Sequence, residues 1–485
     1  MIQHTHRQSH FRKETTFFYF YLFVFALSLG LVSVELFSEG MFMDGLYYAT
    51  ISRNMSLGMG SFWKPYFSAT LFKEFYEHPP LALGLQSICF RLFGDSLYVE
   101  RFYSFILFLL TGGGIVLLWK QWSHDVRYGW LPLLFWVVTG GVIWSVANNM
   151  LENTMVLFVV LSVFFYGKRI NEGHYYGVVL AGLSLSLGLL TKGFPCLYVW
   201  SLPFFMWLFL RKPHFMQMIT DSLLWVGFTL LPIMVFYLFV PDARHFMQTY
   251  LQKQVIGSIE HIQTVSSRWA IVRAFFESIV FPVSVAALSL LFVRKRAGVG
   301  SLFRQNRAPF FLFFAVSLAG VLPIMVSMKQ RPFYITTVYP FFAMGLALLF
   351  LPFIRSLIDP IPPTSKGFTL FKRGGILLLL VSVGLSVAQV NRVGRDNIVI
   401  HDVKQVIEEV GHDKTIHVGP NIAFNWGVYG YFSRYGNVSL SFAPPSKQTY
   451  YLSSGKNDPD SLDHYQRVET NMKQYRLYKT VDPLH

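Results

Sequence analysis

Cysteine is nearly absent: the 485 residues hold two, Cys89 and Cys196, both in apolar surroundings. That excludes a disulfide-framed fold and leaves no Cys-based metal-ligand spacing. Charge is scarce as well. Only 14% of the residues are Asp, Glu, Lys or Arg, against about 25% in ordinary soluble domains, so a conventional soluble protein is excluded. Acid is the scarcer sign, with 26 Asp and Glu against 41 Lys and Arg. No GxxxxGK[ST] nucleotide loop, fixed-period repeat or low-complexity tract occurs. The triplet Gly112 to Gly114 falls inside an apolar run, where small residues serve helix packing.

What is present is apolar and aromatic: 53% hydrophobic residues, 49 Phe, 25 Tyr and 11 Trp, with a mean hydropathy of +0.42. Apolar runs recur from residue 16 to residue 390, and a helix of about 20 such residues crosses a hydrocarbon core of about 30 Å. Spans are expected near 16–36, 98–119, 129–147, 154–167, 175–191, 194–210, 222–240, 270–293, 309–327, 333–353 and 374–390, about eleven in all. The predicted fold is a mainly α, polytopic membrane bundle.

A net charge of +15 would suit a nucleic-acid binder if it were gathered on a soluble surface. It is not. The tail after 390 holds 11 basic and 10 acidic residues, so the surplus lies in short loops of the membrane part, and no nucleic-acid partner is expected. Arg7, Arg12 and Lys13 precede the run from Thr16 to Leu36, and no small-residue cleavage site follows. The run therefore reads as an uncleaved first helix. A cytoplasmic N-terminus then puts Lys120/Arg127, Lys168/Arg169, Arg211/Lys212, Arg294/Lys295/Arg296 with Arg304/Arg307, and Arg355/Lys366/Lys372/Arg373 inside, as the positive-inside bias requires. The same alternation puts outside the loop 37–97, the junctions near 148–153, 191–193 and 328–332, the loop 241–269 and the tail.

The first outer loop is long and aromatic. Pro79-Pro80, then LALGLQSICFRLF and Gly94, are the start and stop marks of a helix, and an amphipathic one there would lie along the interface. The tail alternates VKQVIEEV, KTIHVG, NWGVYGYFSRYG, NVSLSFA and TYYLSS, which predicts a small α/β domain. The expected division is a membrane domain over 1–390 and an extracytoplasmic domain over 391–485.

An ionisable group at membrane depth costs about 2.5 kcal/mol or more, so charges at the outer ends of spans point to a function. Asp44, in MFMDGLYYATISRNM, fits both a general base and a helix N-cap. Glu77 and His78, in KEFYEHPPL, are metal ligands by type, though neighbours on an extended chain point apart and two residues do not close a zinc site. Glu152 stands between two spans, where Asn148 and Asn149 could satisfy it. Lys192, Lys329, Arg331, Tyr334, Arg101, Lys253 and Arg268 are mostly cations on the side where the bias predicts few. Each could snorkel to headgroups; together they could line a phosphate pocket.

In this order the motifs resemble the GT-C superfamily of membrane glycosyltransferases, in the branch shared by bacterial aminoarabinose transferases and protein O-mannosyltransferases. The matching elements are DGLYYA from Asp44, with Gly45 where the family usually has Glu; YEHPPLALGLQSICFRLFG; Arg101 in YVERFYS; Glu152; Thr191-Lys192-Gly193; and KQRPFYITTVYP from Lys329. The resemblance implies sugar transfer from a polyprenyl phosphate to a lipid, glycan or protein acceptor at the outer face of a bacterial inner membrane, with inversion. By position Asp44 would be the base, Glu152 would help place the acceptor, and Lys192, Arg101, Lys329 and Tyr334 would hold the donor phosphate. Glu77 stands where aminoarabinose transferases have a metal-binding Glu, which allows a divalent metal. The loop after the seventh span offers Lys253 and Gln254 where their second ligand would be, with His245 and His261 off register. A noncatalytic lipid-binding scaffold and a secondary transporter are the competing classes; transporters place ionisable groups near mid-span within repeated halves, and this chain has neither.

Overall fold

A computed structural model of the chain describes residues 2–260, 262–291, 299–442, 449–454 and 465–481. His261 and the basic cluster Arg294/Lys295/Arg296 lie outside these residues. The helices in chain order are α1 Ile2–Leu36, α2 Met43–Ser56, α3 Leu81–Phe93, α4 Val99–Ser123, α5 Trp130–Val137, α6 Gly140–Ala147, α7 Glu152–Glu172, α8 Tyr176–Lys192, α9 Leu202–Leu210, α10 Phe215–Phe239, α11 Pro241–Tyr250, α12 Gly257–Glu260, α13 Ala270–Leu291, α14 Val299–Val321, α15 Tyr339–Ile358, α16 Lys366–Gln389, α17 Asn397–Val410 and α18 Trp426–Gly436. Within the described residues the expected apolar runs are helical, the run 129–147 being broken between α5 and α6. Among the described residues eight helices are long and apolar enough to span. A ninth span results if Val126–Val137 and Gly140–Ala147, bent by 79° at their junction, count as one. Tyr176–Lys192 and Phe194–Leu210 are apolar but shorter.

The membrane helices share one core in which α7 packs on α8, α1 on α16, α14 on α15 and α10 on α8. Its largest fully buried side chains include Trp119, Trp225 and Tyr339. At one end of this bundle, Arg169 of α7 pairs with Asp221 of α10 at 3.1 Å, and Arg355 with Asp125 at 2.9 Å. These belong to the loops expected inside.

The opposite end carries α2, α3 and the chain after residue 390. Helix α3 begins after Pro80 and ends at Gly94, whose φ of +78° suits glycine. In the tail, β1 Thr415–Val418, β2 Ser439–Ser441, β3 Tyr450–Ser453, β4 Tyr465–Arg467 and β5 Arg476–Thr480 form one sheet in the order β2-β1-β3-β5-β4. The first three strands are parallel, with β1 in the middle, and β5 is antiparallel to both its neighbours. The parallel pair β1 and β2 needs a crossover, which α18 supplies. The tail segments VKQVIEEV, KTIHVG, NWGVYGYFSRYG, NVSLSFA and TYYLSS contribute α17, β1, α18, β2 and β3.

The tail does not stand apart from the first loop. Met41, Leu46, Ile51 and Phe67 share a hydrophobic core with Ile400, Val403, Phe432 and Leu440. Arg434 of α18 crosses the seam to Glu100 at 3.1 Å and Asp95 at 2.7 Å. Arg53 of α2 donates to the carbonyls of Ser433 and Arg434 at 3.0 and 3.1 Å. Both Arg434 and Glu100 are buried. Removing one member of a buried pair strands the other charge, at about 3–5 kcal/mol. Arg434→Leu is therefore expected to lower the melting temperature of the purified chain and expose the tail to protease, and Glu100→Gln added to it should restore part of the loss.

Candidate functional site

Helix α2 starts at Met43 with Phe42 as its N-cap, and no side chain caps it. Asp44 is thus in the first turn without being the cap, so capping does not account for it. A carboxylate there still gains from the helix dipole. The turn is stitched to the loop before α7. The Phe42 amide donates to Asn148 Oδ1 at 2.7 Å, and Asn148 Nδ2 donates to Glu35 at 3.2 Å. Asn149 Nδ2 donates to the Gly45 carbonyl at 3.3 Å, and Asn149 Oδ1 accepts from Gln86 at 2.6 Å. The approach is so close that a Cβ on residue 45 would lie 2.2 Å from the Asn148 carbonyl oxygen. Only glycine fits. Asn148 and Asn149 hold the Asp44 turn rather than Glu152.

Asp44 lines a cavity of about 240 Å3 with Glu77, His78, Lys329, Arg331 and Tyr334 among its neighbours. The same walls include Tyr47, Tyr48, Phe333, Thr264 and Trp426. Glu77 and His78 sit in a bend, not an extended strand, so both face the cavity instead of pointing apart. Beneath it, Lys192 at the last residue of α8 donates to Glu152 at the first residue of α7. Both are buried, and Glu152 keeps its second oxygen without a partner among the described residues. The Lys192 ammonium lies 5.3 Å from the Phe333 ring centre and 5.1 Å from that of Tyr334, within cation–π range. Lys329 reaches Gln254 at 3.0 Å and Ser258 at 3.3 Å.

Burial pushes the Asp44 carboxyl above the usual aspartate range, against the pull of Lys192, Arg331 and Lys329. Burial likewise raises Glu77, with Lys329 opposing and Asp44 adding. It holds His78 well below the ordinary imidazole value, reinforced by Lys192 and Lys329, so the ring is neutral at pH 7. Lys329 is lowered by burial, with Glu77 and Asp44 working the other way. These are mutually felt charges in one space.

Three expected residues are elsewhere. Arg101 gives its guanidinium to the carbonyls of Ser38, Leu97 and Gly40 at 2.8 to 3.1 Å, pinning α4 to the α1–α2 connection. Arg268 donates to the carbonyls of Met325 and Val326. Lys253 is exposed on the π-helical turn 251–256 and does not line the cavity. Each sits at the expected end of the bundle, but backbone carbonyls and solvent, not the cavity, take these charges. Lys192 is balanced by Glu152, so Lys329 and Arg331 are the cations that face the cavity. The residues that spacing missed are Tyr47, Tyr48, Phe333 and Trp426, whose aromatic character does not stand out in a chain with this many rings. Among the described residues no group of three or more His, Cys, Asp or Glu is placed to hold a metal.

Beside this cavity lies an apolar hollow of about 400 Å3 with almost no polar lining, formed by residues such as Trp63, Leu190, Phe194, Met234 and Phe246. The two are adjacent in the chain: His78 lines the cavity and Pro79 lines the hollow.

Known proteins match this arrangement. Residues 77–241 match the family model of dolichyl-phosphate-mannose-protein mannosyltransferases, a stretch that includes Glu77, His78, Glu152 and Lys192. An undecaprenyl phosphate-alpha-4-amino-4-deoxy-L-arabinose arabinosyl transferase of Wigglesworthia glossinidia brevipalpis is 26% identical over 178 residues, 35% of this chain and 30% of its own length. The protein of the same name from Enterobacter sp. (strain 638) is 28% identical over 175 residues, 35% of this chain and 31% of its own. The matched stretch thus spans less than a third of these relatives. In structure the chain is similar to ArnT from Cupriavidus metallidurans bound to undecaprenyl phosphate, with a TM-score of 0.62 at 14% identity over 96% of this chain and 98% of that one. An oligosaccharyltransferase of Archaeoglobus fulgidus, in complex with zinc and sulfate, follows at 0.51 and 13% identity, over 89% and 68%. Taken together, these likenesses show that the chain has the fold of ArnT and that residues 77–241 match the mannosyltransferase family model.

Proposed function

We propose that the chain is a membrane glycosyltransferase that moves a sugar from a polyprenyl phosphate to an acceptor hydroxyl or lipid phosphate at the outer face of a bacterial inner membrane. The observation that carries this reading is the meeting of Asp44 with Lys329 and Arg331 in one cavity, next to an apolar hollow lined by Leu190, Leu230 and Met234. A prenyl chain needs such a hollow, its phosphate needs cations, and its sugar needs a wet space between them. The transferases of similar sequence and the ArnT structure holding undecaprenyl phosphate support the same donor class.

In this reading the donor phosphate lies against Lys329 and Arg331, with the Tyr334 hydroxyl as a further donor. The Asp44 carboxylate takes the proton of the acceptor hydroxyl as its oxygen attacks the anomeric carbon. The bond from that carbon to the phosphate oxygen breaks, and the electron pair leaves with the polyprenyl phosphate. The cations stabilise charge that grows on the phosphate during the displacement. A single displacement inverts the anomeric centre. Glu152 keeps Lys192 in place under the Phe333 and Tyr334 rings, and so acts on the site through that lysine. Trp426, in the tail taken as an extracytoplasmic domain, contributes to the cavity wall.

Asp44→Asn preserves the shape of the side chain and removes the base. It is expected to slow transfer by about a hundredfold to ten-thousandfold, followed by mass spectrometry of a labelled panel of prenyl-phosphate sugars with native membranes as acceptor source. Binding of undecaprenyl phosphate should persist. A scaffold or a transporter would show no transfer in the parent chain and no such dependence on Asp44.

The pH profile gives an independent check. Asp44 must be ionised to act, and its folded value is raised, so transfer at saturating donor should fall with acid at a pH above the usual aspartate range. Lys329 opposes that rise. In Lys329→Met the acidic limb is expected to move to higher pH still, and an unmoved limb would refute the assignment of Asp44 as base.

A further inference from the structure

Asp44 sits between two backbone groups that are held from the same place. The Phe42 amide, just before it, donates to Asn148 Oδ1, and the Gly45 carbonyl, just after it, accepts from Asn149 Nδ2. Consecutive asparagines thus grip the first turn of α2 on both sides of the acid, one with its oxygen and the other with its nitrogen. An asparagine amide carries an acceptor at one corner and donors at the other, and a half turn exchanges them. Either one turned over would set oxygen against carbonyl or N–H against N–H, and that grip on the turn would be lost. Asn149 is moreover held at a φ of +51°, a left-handed backbone that asparagine tolerates better than most residues.

Groups outside the turn fix the sense of each amide. For Asn149 the group is Gln86, on the buried face of α3. Its Nε2 donates to Asn149 Oδ1 at 2.6 Å, and its Oε1 accepts from Asn149 Nδ2 at 3.4 Å. Both residues are buried, so the two amides orient each other. For Asn148, Nδ2 donates to the Trp144 carbonyl at 2.9 Å and to Glu35 at 3.2 Å. Glu35 is an unexpected residue in its place. It lies exposed in the last turn of α1, beside the exposed Leu31 and Val34 of the same spanning helix. An acid there is opposed by the helix dipole and by nearby hydrocarbon. Among the described residues its one hydrogen bond is the one from Asn148. Neither Gln86 nor Glu35 lines the cavity.

Resting on the transferase reading, we propose that Gln86 and Glu35 are positioning residues for Asp44, acting through Asn149 and Asn148. Each decides which corner of an asparagine faces α2, and so where the Asp44 carboxylate stands against Lys329 and Arg331. The two hydrogen-bond chains reach the turn from different helices, Gln86 from α3 and Glu35 from α1. The base is thereby referenced to the first outer loop on one side and to the bundle on the other. A displacement of about 1 Å at a reacting group can cost about a hundredfold in rate. The phosphate contacts, made by Lys329 and Arg331 on another element, would not change.

The test follows transfer by the full chain in lipid nanodiscs, with the labelled prenyl-phosphate sugars and native membranes used for Asp44→Asn, and separates kcat from donor KM. Gln86→Met keeps the length of the side chain and removes its amide. Glu35→Leu removes an exposed acid and suits its apolar neighbours, so it keeps the fold, checked by an unchanged melting temperature. Each is expected to lower kcat by about tenfold or more while donor KM and undecaprenyl phosphate binding stay at the parent's values. Each should also quicken hydrogen exchange in the peptide that spans Phe42 to Gly45. Glu35→Gln keeps an acceptor for Asn148 and should hold kcat within about twofold of the parent. Because Gln86 acts through Asn149, Gln86→Met/Asn149→Ala should turn over no more slowly than Asn149→Ala alone; a residue needed only for the fold would add its own loss. Parent-like kcat in either single variant, a loss carried by donor KM, unchanged exchange, no rescue by Glu35→Gln, or additive losses in the double variant overturns the proposal. Should Gln86→Met lose its fold, Glu35→Leu decides alone. A parent chain that transfers nothing, or does so without Asp44, ends the transferase reading and this inference with it. Transfer that depends on Asp44 but not on Gln86 and Glu35 ends this inference only.

Discussion

A carboxylate and an ammonium lie together in the interior of this bundle, Glu152 at the start of α7 and Lys192 at the end of α8. Either alone would be prohibitive at that depth, since an unpaired buried charge costs several kcal/mol. Paired, each also sits at the helix end that favours its sign: the acid at an N-terminus, the base at a C-terminus. The pair fixes how α7 and α8 end relative to one another, and those two ends form the floor on which the rest of the site rests. The Phe333 and Tyr334 rings pack against the same ammonium, which draws the segment carrying Lys329 and Arg331 onto that floor.

The consequence is a division of labour among cations that look equivalent in the sequence. Lys192 is neutralised in place and acts as a structural charge, still felt by Asp44 at a distance. Arg101 is fully engaged by three carbonyl groups, so it orders the α1–α2 connection. Lys329 and Arg331 keep a face toward the cavity. Charge-assisted contacts to a phosphate are strong because they are made in a space with little water. A cation already matched by a buried carboxylate cannot contribute one at full strength.

The membrane helices are legible in the sequence because apolar length is a direct consequence of bilayer thickness, and basic residues mark one side. The tail is legible for a related reason: β1 buries its face in a short apolar run and α17 is amphipathic, so each declares its side. The site is legible only in part. Asp44, Glu77, His78, Glu152, Lys192, Lys329, Arg331 and Tyr334 are gathered around one space, since a charge at the end of a span is costly unless a partner or a ligand takes it up. Arg101 and Arg268 escape such a reading because backbone carbonyls, which carry no sequence signal, are their partners. Asn148 and Asn149 escape it for the converse reason: they precede Glu152 in the chain, but fold across to the turn that holds Asp44.

That turn also accounts for the glycine where the resemblance leads one to expect a second acid. Position 45 faces the Asn148 carbonyl so closely that no Cβ fits, and its own carbonyl is held by Asn149. A side chain there would push α2 off the loop and carry Asp44 with it. The second carboxylate of this cavity comes instead from Glu77, on a different element, where burial disfavours its ionisation and the Asp44 charge adds to that effect. Lys329 pulls on both acids toward ionisation, against the burial that opposes it. The loss of an acid from α2 therefore does not leave the site with one carboxylate. It moves the partner onto a loop, where a bend rather than a helix decides how near to Asp44 it stands.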